Sequence, residues 1–516
     1  MPIISVPNAG SIGVNKDLSN SELPVGAWTD AQNIRFLDGY AHQSYGHGEV
    51  YNSPSIIPYH VLPVTIGTQR YWVYAGTGKA YCTTITSGSA VHTDITKATT
   101  TYTGGVNAWT SALLGGVPII NNGVDAPQMW SLNPAAKMTD LSNWPAATTC
   151  KTLRSFKQFL IAMNVTVSGV NYPFLVQWSH PADPGAVPSS WDVTDATKDA
   201  GKFDLAQGYD PIVDGLQLGD SFMVYKEASV WRLDFIGGTY IFKNTRVRGL
   251  SGALNRNCVV EVDGFHFVLT TSDVVVHDGQ VETSVLDKQS RRFLFQNMDV
   301  DNAGSAFVFK NPFLNEVFVC YASIGSTVPD KALVWNYIDK TVGFRDIPNL
   351  YHANYGPIDN GLTGNWSQDS SPWGSDLTSW NGPDFAPSSA RVLMCSSSQK
   401  LYMLDASSSF DGTIPSAYLE RRGLSLGDHD IMKTVLSIRP KITGNAGESV
   451  LVKVGSSDDP FADPVYDAAM THIIGSTFKN DCRVTGRYIA IRFETGTAYQ
   501  WRLDSYGIEV KARGSR

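Results

Sequence analysis

The strongest constraint on how this chain can fold is a unit that recurs seven times: an apolar run, a turn or loop, then a second run ending in an aromatic residue or an aspartate. It occurs at Tyr71–Cys82 (YWVYAGTGKAYC), Val117–Leu132, Phe159–Trp178, Ser221–Phe235, Phe265–Asp278, Glu316–Val342 and Arg391–Asp405. Successive units lie roughly 40 to 70 residues apart, near the ~40–50 residues of one propeller blade. Aromatic and β-branched residues mark the runs as strands. Each unit reads as the middle two strands of a four-stranded antiparallel sheet. One such sheet cannot bury both faces alone, so the units must stack, and radial stacking leaves only short edges. Asn122-Gly123, Gly237-Gly238, Asp263-Gly264 and Asp278-Gly279 supply dipeptides suited to hairpin turns with positive φ. The expectation is an all-β chain built on a β-propeller of six or seven blades. Irregular spacing, with no repeated WD or kelch signature, leaves another multi-sheet β fold as the alternative.

Residues 1–50 read as an extended N-terminal arm or clasp, 51–415 as the propeller, and 416–516 as a C-terminal β-sandwich. In the last region TVLSIRPKIT, SVLVKVGSS, GRYIAIRFE and WRLDSYGIEV supply four strands. Between about 351 and 387 the composition shifts to Gly, Ser, Asn, Asp and Trp, which reads as an insertion. Its tryptophans, Trp366, Trp373 and Trp380, would pack on a neighbour, bind something, or plug the insertion's own surface. Helical periodicity is scarce and best at Asp463–Met470, one or two turns.

Charge narrows the function classes. Forty Lys and Arg against 48 Asp and Glu leave a formal charge of −8, the opposite of a basic nucleic-acid footprint. Only 17% of residues are charged, which fits a surface partly covered by partner subunits. The nearest two of the six cysteines are 62 positions apart, so they read as buried small hydrophobes in a reducing compartment. The N-terminal MPIISVPNAGSIG lacks the basic and apolar regions of a signal peptide. No apolar run is long enough for a membrane-spanning helix.

Chemistry-bearing patterns fail on inspection. Gly76-Thr77-Gly78-Lys79 resembles a phosphate loop, but Val73 and Ala80 stand where that loop needs Gly and Ser or Thr, so it reads as a hairpin turn. His266 and His277 fall on neighbouring strands as packing residues rather than metal ligands. The acidic loops at 456–463 and 428–430 lack calcium-hand spacing. Of the Asp-boxes expected in a propeller glycosidase, only Ser409-Phe410-Asp411-Gly412 has a fragment. The reading is therefore a non-enzyme with no catalytic residues, no metal site and no cofactor.

The most distinctive stretch is GVNKDLSNSELPVGAWTDAQNIRFLDGYAHQSYG, Gly13 to Gly46. Its Asn15, Asp17, Glu22, Leu23, Pro24, Gly26, Trp28, Thr29, Ala31, Asn33, Arg35, Phe36, Asp38 and Gly39 form a pattern that resembles the opening of tail proteins of short-tailed bacteriophages. The C-terminal GRYIAIRFE and WRLDSYGIEV resemble the closing strands of the same proteins. That resemblance implies a structural virion protein: a tail nozzle or hub that stabilises packaged DNA and serves DNA ejection. It would be made in the host cytoplasm and located in the virion tail. Its implied partners are five further copies in a homohexameric ring, the portal and adaptor, and tail fibre or needle proteins. Genomic DNA would pass without specific binding, and acidic walls suit such a conduit. Trp28 and Phe36, with Trp366, Trp373 and Trp380, are the candidate assembly and interface residues. The alternatives are a carbohydrate-binding adhesion protein and a propeller glycosidase.

Overall fold

Each of the seven recurring units supplies the two central strands of a four-stranded antiparallel sheet. The computed structural model describes all residues except 1–2, 67–68, 87–88, 99, 239, 287, 359–389, 428, 497–498 and 515–516. Sheet 1 comprises Pro58–Ile66, Gln69–Gly76, Ala80–Thr86 and Ser89–Asp94. Sheet 2 comprises Thr110–Leu114, Val117–Asn121, Gln128–Met129 and Thr139–Asp140. Sheet 3 comprises Thr148–Phe156, Phe159–Val167, Val170–Trp178 and Gly201–Asp204. Ile212–Leu218, Ser221–Lys226, Val230–Phe235 and Phe242–Val247 form sheet 4, and Val259–Val262, Phe265–Leu269, Val274–His277 and Glu282–Ser284 form sheet 5. Sheet 6 runs Phe307–Asn311, Glu316–Tyr321, Lys331–Asn336 and Val342–Asp346. In sheet 7, Leu350–Pro357, Ala390–Ser396 and Leu401–Leu404 are joined by His47–Glu49 from the N-terminal arm. The first strand of each sheet lies beside the first strand of the next, and Leu350–Pro357 lies beside Pro58–Ile66. The arrangement is propeller-like.

Local chemistry explains the hairpins. At Asp263-Gly264, φ values of +49° and +81° match a turn that needs positive φ at both central residues. Apolar side chains between adjacent sheets form the cores, as where Phe156, Ile161 and Met163 of sheet 3 meet Phe222 and Val224 of sheet 4. Cys82, Cys150, Cys258, Cys320 and Cys395 are buried free thiols in these layers, and Cys482 is half-buried.

Two further six-stranded sheets share one core in a sandwich-like layering. One contains Ile34–Leu37, Tyr40–Gln43, Trp501–Gly514, Met432–Gly444 and Asn480–Gly486, with Ile3–Val6 paired to Trp501–Gly514. The other contains Asp30–Gln32, Tyr418–Leu424, Tyr488–Thr495, Ser449–Ser457 and Val465–Tyr466, with Met470–Ile473 paired to Ser449–Ser457. Ile438, Leu503 and Ile508 of the first pack with Leu419, Val452, Ile491 and Phe493 of the second. The arm therefore contributes strands to both sheets before it crosses to sheet 7.

Two expectations are corrected. The helix expected at Asp463–Met470 is absent: Val465–Tyr466 pairs with Gly455 and Ser456, and Met470 with Val452. Pro464 cannot donate a backbone hydrogen bond there. Among the described residues the α-helix is Arg291–Asn297, and the Asp17 carboxylate of the arm caps it by accepting from the N–H groups of Arg292 at 2.8 Å and Phe293 at 3.1 Å. The insertion expected from residue 351 begins as strand, since Tyr351 to Pro357 belong to the first strand of sheet 7. Trp366, Trp373 and Trp380 lie outside the described residues.

The arm is fixed by charge as well as by strand pairing. Arg35 donates to Glu316 at 2.5 Å and to both oxygens of Asp405 at 3.0 and 2.9 Å. Arg345 donates to the same Asp405 at 3.1 Å and to the Tyr45 carbonyl at 2.6 Å. All four side chains are at most 4% exposed, so a net-neutral quartet is buried where arm, sheet 6 and sheet 7 meet. Beside it, Gly46 passes so close to the Ser409 carbonyl that a Cβ would sit 1.7 Å from its oxygen. Removing one member of a buried ion pair leaves its partner charged without compensation, at a cost of about 3–5 kcal/mol. Arg35→Met is expected to lower unfolding free energy by about that amount, read from the urea midpoint. A midpoint within error of the parent would show that the quartet does not hold the arm.

Candidate functional site

Where the first strands of the seven sheets converge, polar side chains replace the apolar packing of the layers. Irregular backbone puts several of them there. Register shifts fall between Pro58 and His60, between Ile212 and Asp214, and between Leu350 and His352. Each places a polar residue directly after a bulge, the device that re-aims a side chain within a strand. Arg154 of sheet 3 grips Asp214 of sheet 4 with two parallel hydrogen bonds of 2.9 and 2.8 Å. The same guanidinium donates to the Ser111 carbonyl at 3.3 Å and to Asn257 Oδ1 at 3.0 Å. The Asn257 N–H in turn donates to Asp214 at 2.9 Å. His60 Nε2 lies 2.9 Å from Ser111 Oγ, and its ring packs against His352 with centroids 4.1 Å apart and planes tilted by 40°. The cluster thus ties together strands of sheets 1, 2, 3, 4 and 7 and the segment that enters sheet 5.

His60, Asn257 and His352 of this belt also line a recess that is bounded by Tyr59, Trp109, Asn255, Arg256 and Tyr351. Arg256 donates to the carbonyls of Ala108 at 2.8 Å and Lys151 at 3.1 Å. Tyr59 and Tyr351 meet edge to face at 5.3 Å. Two residues of the recess, each 2% exposed, carry a buried polar atom with no partner in the protein: His60 Nδ1 and Trp109 Nε1.

Electrostatics decide what this arrangement can do. Desolvation, then the charge of Arg154, pushes His352 down to about 3. Desolvation, with His352 and Arg154 adding to it, pushes His60 well below the ordinary imidazole value. Both rings are neutral near pH 7. Ser111 and His60 have the separation of a nucleophile and its base, but His60 Nδ1 meets no carboxylate to orient it, and so low a pKa disfavours proton uptake near neutrality. Binding is the chemistry the recess offers. Among the described residues no group of three or more His, Cys, Asp or Glu is placed to hold a metal ion, and no helix is long and apolar enough to cross a membrane.

The residues singled out in the sequence fall elsewhere. Trp28 is 1% and Phe36 3% exposed. Trp28 donates from Nε1 to the Ala9 carbonyl at 2.5 Å and packs on Phe493 and Tyr506. Within the chain these two candidate assembly residues lie in the core, where they anchor the arm. The pattern around them has similar uses, since Asn15 donates to the Lys288 carbonyl, Thr29 to the Glu420 carbonyl, and Asn33 to Asp346. Lys79 of the Gly76-Thr77-Gly78-Lys79 turn pairs with Asp94 at 3.1 Å. His266 and His277 face each other across sheet 5, both bonded to the Tyr225 hydroxyl at 2.6 and 2.7 Å. His60, Trp109, Ser111, Arg154, Asp214, Arg256 and His352 were not anticipated. Their one signal was a polar residue within or next to a first strand, repeated from sheet to sheet.

No protein-family model matches the chain, and no curated protein does. Similar solved structures include PorZ, an essential bacterial surface component of the type-IX secretion system of Porphyromonas gingivalis, at 10% identity and TM-score 0.40. That match covers 79% of this chain and 44% of the other, so the chain spans less than half of that protein. Another is the WD40 β-propeller domain of Doa1, at 7% identity and TM-score 0.39, covering 70% of this chain and 96% of the other. The phage vocabulary drawn from the N-terminal resemblance is corrected on these findings. Neither similar structure is a virion or tail component, no family or curated match supplies one, and the tail nozzle, tail hub, homohexamer, DNA ejection and packaged-DNA stabilisation are withdrawn.

Buried neutral histidines give the fold a pH dependence with a definite sign. Desolvation lowers His42, His266 and His277 to about 4 and His47 and His352 to about 3, from an ordinary value of 6.5. The unfolded chain therefore binds the extra protons below pH 6.5. This contribution to stability is complete above that pH and is lost as pH falls toward 3–4, at up to about 1.4 kcal/mol per histidine per pH unit. The melting temperature is expected to be level between pH 7 and 8 and to drop steeply between pH 6.5 and 4.5. Calorimetric scans across that range check it, and a level profile down to pH 5 would contradict it.

Proposed function

We propose that this chain is a non-catalytic interaction scaffold. The seven sheets close into a seven-bladed β-propeller, a C-terminal β-sandwich is clamped to it by the N-terminal arm, and the face bearing the recess meets the binding partner. The observation that carries this reading is the recess itself: a concave polar site lined by residues of sheets 1, 6 and 7 and of the segments that enter sheets 2 and 5, with two unpartnered buried polar atoms among them. Sites of that kind favour the converging ends of repeated elements, where many short segments each contribute one or two groups. A carbohydrate-binding adhesion protein is the second reading, supported by the pairing of Tyr59 and Tyr351 beside the amides of Asn107 and Asn255.

Site-specific photo-crosslinking in the producing cell tests the proposal. A crosslinker at Asn107 or Tyr351, on the rim of the recess, is expected to trap a discrete partner. One at Thr443, on the sandwich, should trap none. Crosslinks confined to the sandwich, or hydrolytic turnover that disappears in Ser111→Ala, would overturn it.

A further inference from the structure

Resting on that reading of the recess, we propose that its occupant is a carboxylate: an acidic side chain or chain terminus of a protein partner. The first observation is charge. The residues that line the recess include Arg256 and no Asp or Glu. Asp214, behind them, is matched by Arg154 at 2.8 Å. With both histidines neutral the recess carries one net positive charge, in a chain whose formal charge is −8. An acidic group is attracted to this spot and repelled by the chain's net charge elsewhere.

The second observation is the kind of hydrogen bond left open. Trp109 Nε1 is a donor only, it is buried, and nothing in the protein accepts from it. His352 Nδ1 accepts from the Val61 N–H at 3.4 Å, so the proton of this neutral ring sits on Nε2 and makes that atom a donor as well. His60 offers Nδ1 without a partner, and the hydroxyl of Ser111 can rotate to let the imidazole present its proton there. Arg256, Trp109 and the two histidines form a donor-rich wall. An acceptor with two oxygens and a negative charge satisfies such a wall, and charge-assisted bonds of this type are the stronger class. A neutral sugar brings as many donors as acceptors and leaves the charge of Arg256 unmatched.

The test is titration of the full chain with the N-methylamides of N-acetyl-glutamate and N-acetyl-aspartate, whose one charge is the side-chain carboxylate, followed by ligand-observed NMR, with N-acetyl-glutamine N-methylamide and methyl glucoside as neutral comparators. Binding is expected for the two acids, with at least tenfold weaker or undetectable binding for the glutamine derivative and the glycoside. Trp109→Phe removes the indole donor and leaves a smaller aromatic ring in the same buried cluster; it should weaken the acids several-fold, with a melting temperature lowered by the lost packing and the fold retained by circular dichroism. Arg256→Gln should weaken them at least tenfold. If that variant does not fold, the Trp109→Phe result decides alone. Binding of the glutamine derivative and the acids alike, preference for the glycoside, or indifference of the acids to Trp109→Phe would each overturn the carboxylate assignment. The scaffold reading is scored separately: a rim crosslink that persists under excess N-acetyl-glutamate N-methylamide sinks the carboxylate and spares the scaffold, whereas absence of any rim crosslink sinks the scaffold.

Discussion

The buried quartet of Arg35, Glu316, Asp405 and Arg345 is the constraint on which the rest of the architecture depends. Four charges removed from water are tolerated only with close, well-aligned partners, and the partners here come from the arm, sheet 6 and sheet 7. The Asp405 carboxyl shows the balance: desolvation works to raise it, but the two guanidiniums hold it below its ordinary value. Glu316, facing one guanidinium, is raised by the same burial. The quartet cannot form until the N-terminal arm has reached the last two sheets, so it couples the ends of the propeller-like region to each other.

From that anchor the arm organises the molecule in both directions. On one side it supplies His47–Glu49 to sheet 7, with His47 wedged between Tyr402 and Phe410. On the other it supplies edge strands to both sandwich sheets and buries Trp28 against Phe493 and Tyr506. A single apolar cluster consequently runs from sheets 5 and 6 through the arm into the sandwich. The dense N-terminal motif is thus explained by folding: Asn15, Asp17, Thr29, Asn33 and Arg35 each bind backbone or carboxylate groups hundreds of positions away. A pattern of this kind marks how the chain is clasped.

The recess follows from the same geometry. Seven strands that converge cannot all turn large apolar side chains toward one another, and bulges at three of them turn in His60, Asp214 and His352 instead. The Arg154–Asp214 pair and Asn257 use up most of the polar capacity of this floor. Trp109 Nε1 and His60 Nδ1 are what remains, beside an arginine with no acidic neighbour in the wall. The functional reading rests on this surplus of donors in a place shaped to receive something.

What the sequence alone determined was local and periodic. Strand pairs such as Ser221–Phe235 and Phe265–Asp278 were legible because alternation and turn chemistry act within a dozen residues, and each became the middle of a four-stranded sheet. Four sandwich strands were legible for the same reason, while a short edge strand such as Val465–Tyr466 carried too little pattern to be seen. The Asp463–Met470 segment misled because its helix-like spacing is overridden by pairing with Ser449–Ser457. Only the tertiary structure decided that the fourth strand of sheet 7 comes from the arm, that Trp28 and Phe36 point inward, and that His60, Trp109, Arg256 and His352 share one recess. Those facts depend on contacts between residues as far apart as His60 and His352 or Trp28 and Tyr506, and no local periodicity encodes which distant partner a side chain will meet.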